Sequence, residues 1–317
     1  MPWSLTRYCG SGLEAANIAA QKVSSWWEEL VVVGGVESMS RIAMGAAPSA
    51  RDANPQLNFR MQPVPQGVSA DLMATLDGHT RGQVDALASH QRAAQARAEG
   101  RFARSLVPVK DLDGLVILAE DETIRPDASL DTLARLQPSF ADMGEMGFDA
   151  LAQLRYPQVE RIAHVHTAGN SSGIIDGAAL LLIGSEAKGR ALGLTPRARF
   201  VSVAVTGAEP TIMLAAPAPV ARMALAKAGL RVQDIDLFEV NEAFASVVLR
   251  FMQEMEVPAD RENVNGGAIA MGHPLGATGC MLVGTLLDEL ERRGLQRGLV
   301  TLCAADGMGV ATTIERV

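Results

Sequence analysis

Apolar positions recur along this chain at two spacings. From Leu13 to about Val23 an alanine-rich stretch puts Leu13, Ala16, Ala20 and Val23 on one face, the spacing of a helix. Leu30-Val-Val-Val33 is a continuous apolar run of strand length closed by Gly34-Gly35, the pattern of a strand buried on both faces in a parallel sheet. A short strand is expected over Trp3–Tyr8 ahead of the first helix. Later, Phe200–Val205 and Ile235–Val240 read as strands and Val220–Gly229 as a helix stopped by Gly229. Cys280–Leu290 reads as a helix running into the charged Glu289-Leu-Glu-Arg-Arg293, and Leu299–Leu302 as the last buried strand. Helix, apolar strand and glycine bend occur near both ends, a faint duplication of two βαβ halves.

Between these halves the pattern changes. Over residues 41–165 proline, charge and polar residues rise and apolar strands disappear. Val84 to Gly100 predicts one amphipathic helix, with Leu87 and Ala88 inward and Arg92, Arg97 and Glu99 outward. Leu106–Val109 and Leu115–Leu118 flank a Lys110-Asp-Leu-Asp-Gly114 turn as a hairpin would. The chain thus divides into an N-terminal half (1–40 plus 175–195), a loop insertion (41–174) packing over the core, and a C-terminal half (196–317). The arginines at 92, 97, 101 and 104 belong to a solvated face or meet a phosphorylated ligand.

Composition narrows the class. The 317 residues are 48% hydrophobic but only 4% aromatic, a core of small side chains, and the net charge of −8 offers no basic stripe for nucleic acid. The longest strongly apolar run, Gly177–Gly184, is too short to span a bilayer. Met1-Pro-Trp-Ser has neither the charged nor the apolar region of a signal peptide. Three widely spaced cysteines make neither a disulfide framework nor a zinc site, so a reducing cytoplasm is expected.

The candidate chemistry gathers in a few places. Cys9, in Cys9-Gly-Ser-Gly12, stands at a helix N-terminus, where free N–H groups favour the thiolate and lower the pKa; the competing reading is a buried, inert cysteine. His273 lies between two glycine-rich bends of Asn263–Gly279, and Pro274 places it on a loop feeding a helix. Asn241 is polar at the end of an apolar strand, where α/β folds put ligand contacts. Leu299–Leu302 ends in Cys303-Ala-Ala-Asp-Gly-Met-Gly309. His164 and His166 would share a face on a strand, but no carboxylate or cysteine near them in sequence completes a metal set. Asn170-Ser-Ser-Gly173 offers hydroxyls and amides beside an expected helix start, as a ligand contact or a cap.

Taken in order, Cys9-Gly-Ser-Gly-Leu, Gly34-Gly-Val-Glu-Ser-Met-Ser40, Asn241-Glu-Ala-Phe, Gly272-His-Pro and Cys303 with Gly307-Met-Gly-Val-Ala resemble the thiolase family over the whole chain. Val36-Glu-Ser-Met-Ser-Arg41, His164–Gly173 and the long insertion look most like the thiolase β-subunit of bacterial fatty-acid trifunctional enzymes. The resemblance implies an α/β fold: a five-layer αβαβα core of two mirrored halves, with a loop domain over an acyl-CoA site. It implies Cys9 as the acylated nucleophile, His273 as its activator and Cys303 as a second acid/base. Asn241 would hold a water that forms an oxyanion hole with His273, the amide near Ala305 would serve a second hole, and Ser172 would contact coenzyme A. The implied activity is cleavage of 3-ketoacyl-CoA by coenzyme A in β-oxidation, with coenzyme A a substrate and no metal or cofactor. A homodimer or higher oligomer is implied, with a hydratase/dehydrogenase α-subunit as partner.

Two departures stand out. Members usually carry more sequence ahead of the nucleophile, forming two strands of the first sheet and their helices. The first half is therefore expected to be incomplete, from a truncated product or a misassigned start, with apolar faces and edges open. The family also usually has glycines after the second cysteine, where this chain has Ala304, Ala305 and Asp306; alanine cannot relax freely to positive φ, and Asp306 adds negative charge. Three rivals follow: a ketoacyl-synthase-like condensing enzyme, which would place a histidine at Cys303; a weakly active or inactive scaffold subunit; and a biosynthetic acetyl-CoA acetyltransferase.

Overall fold

The structure, a computed structural model, describes residues 3–46, 53–87 and 89–317. Its centre is a pair of helices. Helix α1 (Ser11–Ser24) carries its apolar face as the spacing predicts, with Leu13, Ala16, Ala19 and Ala20 buried. It packs against a long helix, Leu275–Arg293, and glycines let the two backbones meet. A Cβ on Gly279 would lie 2.0 Å from the Leu13 nitrogen, and one on Gly12 would lie 2.6 Å from the Gly276 carbonyl oxygen.

On one side of this pair lies β1 (Leu30–Ser38), hydrogen-bonded antiparallel to Asp176–Gly184 with Val33 opposite Leu181. The glycines at 34 and 35 continue the strand rather than turning it. Gly35 is there for space, since its Cβ would lie 1.7 Å from the Gly276 carbonyl oxygen. The expectation of a strand buried on both faces fails: Val33 is buried, but Val32 is 70% exposed. Among the described residues β1 has only this antiparallel partner and nothing covers its far face. Trp3–Tyr8 forms no strand either. The chain turns sharply there, with Tyr8 at φ 48° and the Ser11 hydroxyl donating to the Tyr8 carbonyl.

The insertion contributes α2 (Gln66–Asp77), the short α3 (Arg81–Asp85) and α4 (Ser89–Ala98). The single helix expected over Val84–Gly100 is thus divided; Leu87 is buried, and Ala88 lies outside the described residues. Thr80 and Gln83 form a capping box that starts α3 locally, so α4 begins anew at Ser89. The expected hairpin is present as β2 (Val109–Lys110) with β3 (Val116–Leu118). Helix α5 (Asp149–Arg155) follows, and the chain then returns to β4, the Asp176–Gly184 strand. No helix starts after Asn170-Ser-Ser-Gly173.

On the other side of the central helices is a four-stranded sheet in the order β5-β8-β7-β6, from β5 (Ala198–Gly207), β6 (Leu237–Val240), β7 (Arg297–Ala304) and β8 (Met308–Arg316). The β6/β7 pair is parallel; β5/β8 and β7/β8 are antiparallel. The outer face is covered by α6 (Pro217–Ala228), which ends at Gly229 in the left-handed conformation, as predicted. Helix α7 (Ala245–Met255) follows β6, the short α8 (Ala268–Met271) precedes the histidine loop, and α9 is the Leu275–Arg293 helix. Strand β8 corrects the reading of Leu299–Leu302 as the last buried strand. Its buried threonines, Thr312 and Thr313, hid it from an apolar-run criterion.

Candidate active site

Each half delivers its chemistry at the end of an element. Cys9 precedes the N-terminus of α1, and Gly10 sits tight beneath β8: its Cβ would lie 3.0 Å from the Val310 Cγ2. Val310 pairs with Leu302, and Cys303 follows at the end of β7. The two thiols are thereby close enough for Cys303 to feel the charge of Cys9.

Asn241 directly follows β6, its N–H donating to the Thr301 carbonyl at 3.0 Å, so it lies beside the end of β7. Its Nδ2 contacts the His273 Nε2 at 3.2 Å, while its Oδ1 is buried without a protein partner. On the other side of the ring, His273 Nδ1 lies 2.7 Å from the Thr278 hydroxyl oxygen. That hydroxyl donates to the Pro274 carbonyl at 3.0 Å. It therefore accepts from Nδ1–H, and the Nε2 lone pair points to Asn241. The His273 N–H donates to the Gly173 carbonyl at 2.9 Å. Ser172 N–H donates to the Ala243 carbonyl at 3.1 Å, which brings the half-buried Ser172 alongside residues 241–245. Ala305 and Cys9 line one cleft of about 930 Å³, together with Ser11, Met39, Gln66 and Gly276. The six residues singled out from the sequence thus fall in two groups, Cys9, Cys303 and Ala305 at the cleft and Asn241, His273 and Ser172 around the end of β6, joined by the hydrogen bond from the Asn241 N–H to the Thr301 carbonyl.

Electrostatics correct one expectation. The helix end does not win at Cys9: burial, with a smaller contribution from Glu37, pushes its thiol up to about 12. Burial and then Cys9 push Cys303 up as well. Burial takes His273 down to about 4. Both thiols and the imidazole are therefore neutral at pH 7 in this buried setting, and a proton must move for the thiolate to form.

The alanines after Cys303 carry no backbone strain. Ala304 is extended at φ −139°, and the left-handed positions are Asp306 (φ 64°) and Gly307 (φ 82°). Aspartate tolerates that region better than most residues.

Two other groups of candidates are occupied internally. Arg92 donates to the carbonyls of Ala259, Glu262 and Asn263, and Arg97 to that of Asp121. Arg101 bonds Glu99 and Asn265, and Arg104 pairs with Glu291. These side chains tie the insertion together and to the C-terminal half, so they do not form a free phosphate-binding face. His164 and His166 lie on irregular backbone rather than a strand. Both Nδ1 atoms contact the buried Asp71 at 2.7 Å, and His164 Nε2 contacts Asp149 at 3.0 Å. Asp71, which holds both, is more than ninety positions away in sequence, which is why spacing could not find it. Sequence reading also missed Thr278. Its signal was available: it stands four residues after Pro274, at the first turn of a helix, where a hydroxyl can turn back to a carbonyl.

Two buried thiols and a histidine whose Nδ1 is held by Thr278 thus lie at strand and helix ends of a layered α/β core, residue types that thiol-based acyl transfer requires. Residues 1–187 match the thiolase N-terminal domain and residues 194–316 the thiolase C-terminal domain, and the chain belongs to the thiolase family of acyltransferases. It is 42% identical to an acetyl-CoA acetyltransferase of Chromobacterium violaceum, over 99% of this chain and 79% of that protein. It is 38% identical to a 3-ketoacyl-CoA thiolase of Cronobacter sakazakii, over 99% and 78%. Human mitochondrial 3-ketoacyl-CoA thiolase superposes with a TM-score of 0.82 at 32% identity, over 99% of this chain and 78% of that one.

Proposed function

We propose that the protein is a 3-ketoacyl-CoA thiolase that works through a Cys9 acyl-enzyme. The observation that carries this reading is the hydrogen-bonded line Thr278–His273–Asn241, whose Asn241 N–H donates to the Thr301 carbonyl two residues before Cys303. Cys9 gives its proton to His273 Nε2, and its sulfur attacks the 3-keto carbon of the substrate. The Nε2–H so formed becomes a donor toward the developing oxyanion, with Asn241 holding a water as the second donor; the unpartnered Asn241 Oδ1 supports that role. Cleavage of the C2–C3 bond leaves the acyl group on Cys9 and an acetyl-CoA enolate. Cys303 gives that enolate a proton, with the Ala305 N–H stabilising its oxygen. Cys303 then takes the thiol proton of incoming coenzyme A, whose sulfur displaces Cys9 as a thiolate, and His273 returns its proton to Cys9. Atoms and charge balance without a redox or metal group. In this reading Ser172 contacts coenzyme A, and the enzyme acts in the cytoplasm in β-oxidation. It does so as a dimer or larger oligomer, with a hydratase/dehydrogenase subunit as partner.

A second reading is biosynthetic condensation of acetyl-CoA, which the same site runs in reverse. The Chromobacterium violaceum relative carries an acetyltransferase name and favours it. Intact-protein mass spectrometry after brief mixing with a 3-ketoacyl-CoA tests the chemistry common to both. An acyl adduct on wild type that is absent from Cys9→Ser and cleared by coenzyme A is expected. A folded protein without an adduct would favour an inactive scaffold subunit instead.

A further inference from the structure

Asn241 is followed by Glu242, a carboxyl that is 1% exposed and takes no part in the chemistry above. Successive residues of an extended chain point to opposite sides. Asn241 reaches the His273 ring, whereas Glu242 reaches the backbone from which that ring is presented. The Glu242 Oε2 accepts from the Ile269 N–H at 3.0 Å and from the Ser89 hydroxyl at 2.6 Å. Its Oε1 accepts from Asn263 Nδ2 at 3.1 Å. All three partners donate, so both carboxyl oxygens act as acceptors.

Each partner is itself fixed. Asn263 accepts from the Val240 N–H and donates to the Val240 carbonyl, both at 2.8 Å, so its amide cannot turn over. The Ser89 hydroxyl oxygen accepts from the Gly267 N–H at 3.0 Å. The loop is moulded to this pair. A Cβ on Gly267 would lie 2.5 Å from Glu242 Cδ, and one on Gly266 would lie 2.5 Å from the Ser89 carbonyl oxygen. Ile269 belongs to α8, and α8 leads through Gly272 directly into His273. Burying a carboxyl group is costly unless its oxygens are hydrogen-bonded, and here both oxygens have donors.

We propose that Glu242 is the positioning residue of the histidine loop. It clamps residues 263–269 to the end of β6, with Ser89 of the insertion as second anchor, so that His273 Nε2 stays on Asn241. The inference rests on His273 being the base for Cys9. It goes further in making the insertion, through one serine, part of what sets the catalytic geometry.

The test uses Glu242→Gln, Glu242→Ala and Ser89→Ala in the full chain. Two rates are read across pH: alkylation of Cys9 by iodoacetamide, located by peptide mapping, and thiolysis with its KM values. Glu242→Gln retains an acceptor for Ile269 but turns a donor toward Asn263. It is expected to lower both rates about tenfold, and Glu242→Ala about 100-fold, the scale of an ångström of misplacement. In both, the acid limb of the Cys9 alkylation profile shifts while acyl-CoA KM changes less than about twofold. Ser89→Ala shows the same signature at smaller amplitude. A wild-type alkylation rate and acid limb in Glu242→Gln, or in Ser89→Ala should the first variant fail to fold, would overturn the proposal. So would losses that follow only the folded fraction measured by circular dichroism. Absence of an acyl adduct on wild type would instead count against the thiolase reading itself.

Discussion

Strands β1 and β7 begin alike and end in different surroundings. Each follows a helix of the central pair and is mainly apolar, with Leu30-Val-Val-Val33 in β1 and Leu299-Val-Thr-Leu302 in β7. In β7 every residue after Arg297 is buried, because the strand is paired on both edges and has α6 on one face and α9 on the other. In β1 the inner face packs on α1 and α9, but Val32 and Val36 stand exposed, as do Leu180 and Leu182 across the ladder on β4. An apolar run reports a capacity for burial; its neighbours decide whether that burial occurs. The candidate site straddles this contrast, since Cys9 precedes a helix that packs on β1, whereas Asn241 and Cys303 stand at the ends of β6 and β7.

The largest expected effect joins the halves through chemistry. Cys9→Ser should reduce thiolysis by roughly 10³-fold or more while leaving the circular dichroism spectrum unchanged, since removing a nucleophile abolishes the covalent route. Activity near wild type would mean that the open half supplies no nucleophile.

Next comes a direct comparison of the two sheets. Leu302→Ala, fully buried in β7, should cost about 3 kcal/mol in urea denaturation, whereas Leu180→Ala on β4, 75% exposed, should stay within about 0.5 kcal/mol. Equal losses would show that the β1/β4 face is covered in solution.

Gly279→Ala tests the seam between α1 and α9. Its Cβ would press into the Leu13 backbone, and overpacking of that kind costs about 1–3 kcal/mol. An unchanged melting temperature would show that the two helices separate freely.

The smallest effect concerns the insertion. Hydrogen bonds that the His164 imidazolium donates to Asp71 and Asp149 raise its pKa above the ordinary histidine value near 6.5. A raised folded-state value makes this contribution fully present below the unfolded value, and it is lost as pH rises through the folded one. The stability difference between wild type and His164→Gln should therefore be greatest on the acid side of 6.5 and shrink above it. Burial pushes His273 the other way, so protonation of that residue opposes folding as pH falls toward 4. A pH-independent His164 difference would show that its ring packs neutral.

By itself, the sequence determined the helices that carry small apolar faces at helical spacing, such as Ser11–Ser24 and Pro217–Ala228, because local periodicity suffices for them. It also marked the six candidate site residues, since a cysteine among glycines, a histidine before proline and a polar residue ending an apolar strand are local signals. Only the tertiary structure decided which face of β1 is covered, that Trp3–Tyr8 lacks a strand partner, and that buried threonines belong to a strand. Only it showed Asp71 reaching His164 and His166 from more than ninety positions away. The same holds for charge: a helix end argues for a thiolate at Cys9, but burial, which is a property of the whole fold, pushes that thiol up to about 12.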